Sequence, residues 1–546
     1  MTRQLGLSIL LLSAAYGQPA AFEAADVRAV HVNLANFNVF MRGPSVRGGR
    51  YEIRTATMVD LISRAYGVDE DKVVGGPTWL EMDRYDVVGK LPAGSTVESR
   101  KLMLQALLAD RFKLVIRHEI QPLPAYALTA TKHPQLKPSD GTGDKGCKKD
   151  FQGFQNGPPA DGPSDGPRPV PTVVYNCRNV TMEAFAEDMR DSVVQNFVHN
   201  QPILDKTGLQ GSWDFSFKFT FRGMPGTNAA DNISVFDALE KQLGLKLEQV
   251  TAPLPVIVVD SVNQKPTNNA ADIATILPGS AVPTEFEVAD IKPTPSDFMG
   301  ARFQVQPGGR VNLQGVTLQM LMEDAWGISE DMIVGAPKWF DEDRFDVVAK
   351  APAAALSEGG PRGPNIDFDD VMTMVKSLLA DRFKLVTHLE ERPISAYTLL
   401  PAKPKMKPAD PNGRTKCDEG PGVGGKDPRD TNPILGRLIT CQNMSMTKFA
   451  EMLMGLAPGY IHAPVLNATG LDGTFDFTLS FSTAGQLQGG GRRVGDGAAA
   501  AQASDPNGAL SLLDALPKEL GLKLESQKRP VQVLVIDRVE QRPTDN

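Results

Sequence analysis

The sequence predicts an α+β fold written in tandem. Each copy holds two small units of the order strand, helix, strand, helix, strand, strand, with the helices on one face of each sheet. Three observations predict it. Asp83–Val88 (Asp-Arg-Tyr-Asp-Val-Val) returns as Asp343–Val348, and Leu107–Leu114 returns as Leu378–Leu385, so a whole domain is duplicated and not a short solenoid repeat. Within each copy a hydroxyl residue twice opens an apolar run at helical spacing. Pro122-Leu123-Pro124 and Pro253-Leu254-Pro255 then mark the same place in the two units of the first copy.

The first helices follow Thr57, Thr181, Thr317 and Ser445, whose hydroxyls are placed to cap the opening turn. Behind Thr57 come Met58, Leu61, Ile62 and Ala65 at i, i+3, i+4, i+7, and the other three segments match that template. Next stands an aromatic residue, then Asp, then an apolar alternation: Tyr85-Asp86, Trp213-Asp214, Phe345-Asp346 and Phe475-Asp476. Each reads as a strand with one buried face. Second helices are expected around Leu104 to Leu108, Phe236 to Leu243, Val375 to Leu379 and Leu513 to Leu520, the last either kinked at Pro517 or restarting there as its first residue. Two short strands joined by a turn at Pro-Leu-Pro should close each unit.

These elements divide the chain into a signal peptide (1–17), a first unit (22–138), a Pro/Gly-rich linker (139–170), a second unit (171–268) and an inter-copy linker (269–284). The second copy follows with a unit (285–408), a linker (409–436) and a last unit (437–546) that carries a flexible Gly/Ala-rich insertion (483–508). Arg3, the apolar run Leu5 to Ala15 and Ala15-Tyr16-Gly17 give the signal-peptide order, with cleavage near Gly17 and a periplasmic or secreted destination. No later stretch has the length of a membrane helix. The net charge of −8 is spread without long single-sign runs, so nothing points to nucleic acid.

The four cysteines fall two per copy. Three pairings are open, and the duplication favours Cys147 with Cys177 and Cys417 with Cys441. Export makes disulfides the expected state, each contributing on the order of 3 kcal/mol through loop closure. Neither the cysteine spacing nor the six histidines form a metal-ligand pattern, and no cofactor is implied. No His-Glu-x-x-His occurs, and Gly162–Gly166 (Gly-x-Ser-x-Gly) and Gly420–Lys426 (Gly-x-x-x-x-Gly-Lys, without the following Ser or Thr) fall in the Pro/Gly-rich linkers and not at a strand-to-helix turn, so no catalytic residue is assigned. The four strand aspartates are expected to bind local backbone or an arginine such as Arg84 or Arg344. Trp79 and Trp339, in matching Gly/Pro loops, are the candidate binding residues, as aromatics on rigid loops.

Phe286–Pro293, the Gly75–Trp79 and Gly335–Trp339 loops, the Leu-Leu-Ala-Asp-Arg-Phe-Lys-Leu segments, Asp205–Leu209, Gln242–Glu248 and Val535–Val539 together resemble a bacterial soil-associated protein family of unknown function, abundant in Acidobacteria, present twice. That resemblance implies an exported protein without an assigned activity. The helix, Asp-x-Thr-Gly-Leu, strand order is also similar to the short N-terminal domains of secretins and TonB-dependent receptors, which implies an interaction module. Asn467 replaces the Asp of that motif in the last unit. The expected function is a non-enzymatic binding or adaptor protein of the cell envelope that takes an envelope protein partner by strand addition. The alternatives are an envelope hydrolase with its site between units and a sensor ectodomain that works with a membrane peptidase.

Overall fold

The structure is a computed structural model that describes residues 20–30, 41–152, 172–190, 194–198, 201–220, 233–277, 283–295, 298, 300–360, 363–422, 425–432, 434–484 and 508–544. The first half of copy 1 runs β1 (Ala24–Val30), β2 (Arg42–Arg47), β3 (Arg50–Thr57), α1 (Met58–Tyr66), β4 (Val73–Gly75), β5 (Arg84–Lys90), α2 (Val97–Arg111) and β6 (Val115–Ala130). The second half runs β7 (Lys137–Pro138), β8 (Gly146–Gln152), β9 (Thr172–Val180), α3 (Met182–Asp188), the single turn α4 (Gln195–Val198), β10 (Ile203–Asp205), β11 (Trp213–Thr220), α5 (Val235–Ala238) and β12 (Leu245–Ser261). Their antiparallel sheets share one topology, β1-β5-β3-β2 and β7-β11-β9-β8. The inner duplication is therefore a property of the fold.

The closing strands differ from the sequence expectation. Pro-Leu-Pro is no turn: β6 and β12 are single long strands that pair antiparallel from end to end, with Pro122 opposite Pro253. Proline survives inside this ribbon because its position decides what the missing N–H costs. Tyr126 N–H reaches outward to Pro202 O (2.8 Å), so alternation turns the nitrogens of Pro124 and Pro122 outward too, away from the β6–β12 ladder. Facing Pro122 and Pro253 are equivalent residues of the two units, so a pseudo-twofold axis passes between them. Around it the units exchange strands: β4 adds parallel to β12, while β10 adds parallel to β6.

Copy 2 repeats the plan with β13 (Val288–Pro293), β14 (Arg302–Gln306), β15 (Arg310–Val316), α6 (Leu318–Trp326), β16 (Ile333–Val334), β17 (Phe345–Lys350) and a small hairpin of β18 (Ser357–Gly360) and β19 (Gly363–Asn365). It continues through α7 (Phe368–Arg382), β20 (Val386–Pro401), β21 (Lys407–Pro408), β22 (Lys416–Glu419), β23 (Arg437–Ser445), α8 (Met446–Leu456), β24 (Val465–Asn467), β25 (Thr474–Phe481) and β26 (Leu522–Arg538). Pro393 faces Pro530 at the centre of its β20–β26 ribbon.

All four hydroxyls cap their helices: Thr57, Thr181, Thr317 and Ser445 each accept from the backbone N–H three residues on. Helix α1 is buried on nearly every side, Asp60 and Ser63 included, because it is covered twice. Its core joins Ile53 and Val87 of the antiparallel sheet to Ile257 and Val259 of the ribbon, so the helices lie between two sheets and not on the single face the sequence suggested. Pro517 stands in the first turn of a wide π-type segment, Leu516–Leu520, that continues the turn Leu512–Ala515. The missing N–H thus falls inside one continuous helical run, Leu512–Leu520, whose wide pitch is also seen at Leu239–Leu243, where no proline stands.

The stretches read as linkers carry structure. Strand β8 lies within 139–170, and β22 lies within 409–436 beside an almost fully buried ion pair, Arg429 with Asp427. In 269–284, Asn269 accepts from Val27 N–H (3.0 Å) and from the Arg111 guanidinium (2.6 Å), while Ile273 and Leu277 pack on Val88. The expected signal peptide (1–17) lies outside the described residues, as does nearly all of the expected insertion 483–508.

Candidate functional site

The four strand aspartates are spent on the backbone. Asp86, Asp214, Asp346 and Asp476 accept from the N–H of Thr55 (2.8 Å), Asn179 (2.8 Å), Gly315 (2.9 Å) and Asn443 (2.9 Å). Each donor sits at a bulge just before a capped helix with positive φ, 51°, 49°, 67° and 48° in the same order. In the first unit of each copy an arginine holds the other end of that residue, Arg84 on Thr55 O (3.1 Å) and Arg344 on Gly315 O (2.6 Å). This is why Asp-Arg-x-Asp recurs almost unchanged. Replacing Asp214 with Ala leaves the Asn179 N–H without its acceptor, and a loss of about 1–3 kcal/mol is expected in urea unfolding.

Asn467 does the work of Asp205. Each side-chain oxygen accepts the backbone and hydroxyl protons of the Thr two residues on, at 2.9 and 2.7 Å in one case and 3.0 and 2.8 Å in the other. The motif is a turn that needs an acceptor and not an acid.

Trp79 and Trp339 are half-buried against their cores, Trp79 edge-on to Tyr85 and Trp339 tilted on Phe340. The Trp79 loop is also where the copies meet. Arg414 of copy 2 donates to Gly75 O (2.9 Å), Val73 O (2.7 Å) and Glu81 (2.9 Å), and Thr415 N–H donates to Thr78 O (3.0 Å). Arg42 and Arg47 of copy 1 pair with Asp369 and Asp370 at the start of α7, at 2.5 and 2.6 Å. The two disulfides join facing residues of neighbouring strands, Cys147–Cys177 across β8 and β9 and Cys417–Cys441 across β22 and β23.

Two features remain uncommitted among the described residues. The first is the outer edge of each ribbon. β10 covers β6 only at Tyr126–Leu128, so no strand lies beside Val115–Gln121, and Ile120 is 70% exposed there. In copy 2, β24 covers β20 only at Tyr397–Leu399, leaving Val386–Arg392 open with Leu389 61% exposed. The second is a cleft of about 420 Å³ at the start of that open edge, lined by Trp326, Lys376, Ser377, Leu385, Val386 and Thr387. Lys376 Nζ lies 5.1 Å over the Trp326 ring. Burial pushes its pKa below the usual lysine range, against the opposing charge of Asp369. No single residue in this cleft carries a motif. Only a comparison of the copies, Lys376 against Gln105 and Trp326 against Tyr66, shows that the position has diverged.

The family described as "Protein of unknown function (DUF3738)" matches residues 59–262 and 319–539. The chain belongs to the DUF3738 family. Each match runs from the first helix of a copy to the end of its second ribbon strand, so one DUF3738 unit is the strand-exchanged pair and the chain holds two. No curated protein and no solved structure matches the chain.

Proposed function

We propose that the protein is a binding or adaptor protein of the cell envelope that recruits extended segments of a partner as added strands on its ribbon edges. The observation that carries this reading is the open, partly apolar ladder at Val115–Gln121 and Val386–Arg392. The outward-facing donors there are the N–H groups of Ile116, His118 and Ile120, and of Thr387, Leu389 and Glu391, by the same alternation that turns the prolines outward. An added strand gains main-chain hydrogen bonds from these donors and side-chain contact from the exposed Ile and Leu. Proline at the ribbon centre removes the next donor, which limits the edge to a short peptide and guards it against pairing with a second ribbon. Two disulfides support an exported setting, and no helix of the described residues is long and apolar enough to cross a membrane. Short secretin-type modules, with their similar element order, fit the same reading.

Ile120→Pro and Leu389→Pro test it, because each removes an outward donor and leaves the inter-strand ladder intact. On an array of extended peptides, the double variant is expected to lose at least tenfold in binding while its thermal midpoint stays within a few degrees. Unchanged binding, or turnover in a screen of ester, peptide and glycoside substrates, would favour the hydrolase alternative.

A further inference from the structure

We propose that copy 2 is a receptor for the free carboxyl terminus of a peptide, whose last residues add antiparallel to Thr387–Glu391 while the terminal carboxylate meets Lys376 and the final apolar side chain enters the Trp326 cleft. The inference rests on the strand-addition reading and gives it a ligand class and a direction. Three observations carry it.

The Lys376 ammonium has no hydrogen-bond or ion-pair partner among the described residues; its close contact is the Trp326 ring. Asp369, the opposing charge near it, is itself ion-paired to Arg42 at 2.5 Å, so this half-buried cation can still take an anionic ligand. The cleft also adjoins the open edge, because Leu385, Val386 and Thr387 line it and Thr387 is the first outward-facing position of that edge. In copy 1 the equivalents of Trp326 and Leu389 are Tyr66 and His118, whose ring centroids lie 6.3 Å apart, so the exposed Leu389 belongs to the Trp326 side of β20. One groove thus runs from the cleft along the ladder.

Polarity follows from where the edge stops. Before Val386 the chain turns away through Lys384, at a φ of 51°, into the buried Leu385, so a ligand strand has nothing to pair with beyond the cleft and ends there. A parallel strand would bring its terminal ammonium against Lys376. An antiparallel strand brings its terminal carboxylate, which the charge favours. At the other end Pro393 offers no donor, so the ladder accepts about five residues, some 17 Å of strand.

Copy 1 lacks the device. Gln105 stands where Lys376 does, and its side-chain N–H is tied to Ala65 O (2.8 Å). The duplication has therefore kept one frame and changed the end group of one groove.

The test uses fluorescein-labelled hexapeptides ending in Thr-Val-Thr-Val-Leu, as free acid and as C-terminal amide, titrated by anisotropy against the full chain. The acid is expected to bind at least tenfold more tightly than the amide. Lys376→Gln should bring the acid down to the amide level and leave the amide unchanged, and Lys376→Arg should keep the preference. Equal binding of acid and amide, abolished by Leu389→Pro, overturns carboxylate capture and leaves strand addition standing. Binding of the acid that survives Leu389→Pro, with octanoate competing, overturns the inference in favour of a small-anion pocket. No binding of either peptide to a chain that still binds the array overturns it as well, while loss on the array too removes the strand-addition reading. Matching thermal melts of the variants exclude misfolding as the cause.

Discussion

Ala in place of Gly521 is expected to cost about 4 kcal/mol, the sum of forced overpacking and a left-handed backbone. Gly521 ends the last helical segment at a φ of 69°, and a Cβ built there would stand 1.6 Å from Lys403 O and 2.3 Å from its carbonyl carbon. Retreat is blocked, since the N–H groups of Ala402 and Lys403 both bind Gly521 O at 2.9 Å. The new methyl has to break those bonds or move β20 from β26. Gly470→Ala is the control: its φ of 63° is also left-handed, but nothing lies within 4 Å of the added carbon, so only about 1–2 kcal/mol is expected. Urea unfolding of the two variants measures the difference. Equal losses would remove the steric argument.

Asp427→Ala is expected to destabilise by about 3 kcal/mol, because it removes the buried partner of a guanidinium that then keeps only the more exposed Glu419. The Arg429 side chain is 4% exposed and bonds both Asp427 oxygens, with Nη1 on Glu419 at 2.8 Å. Glu419 also holds Arg437 at 3.0 Å and accepts from Leu438 N–H at 3.0 Å, so the pair fastens the loop to β22 and β23. Asp427→Leu combined with Arg429→Met should recover most of the loss, because a packed apolar pair carries no desolvation penalty. A single-variant loss below about 0.5 kcal/mol in urea would show that the cluster is surface-like in strength.

The outer duplication was legible because Asp-Arg-x-Asp serves a backbone need that tolerates few other residues: a carboxylate for the N–H of Thr55 or Gly315 and a guanidinium for its carbonyl. The four caps were legible for the same reason, as each satisfies a local donor. What was hidden depends on distant residues. Pro-Leu-Pro reads as a turn until the facing strand shows which way its nitrogens point. The Asp427–Arg429 pair sits in a composition of Pro, Gly and Asp that predicts a linker, and its burial comes from elsewhere in the fold. Lys376 and Trp326 lie on separate helices, and their meeting has no sequence signature.

The strand exchange also sets an order of events for a chain that emerges N-terminus first. Val73–Gly75 pair with Ile257–Val259, and Val115–Ala130 pair with a strand that begins at Leu245. The first helices can form early, yet their second covering sheet stays incomplete until the end of the copy has been made. Such distant pairing slows folding and leaves apolar surface exposed meanwhile. Each copy therefore closes late and as one piece, a schedule that suits a chain whose assembly is postponed until all of it is present.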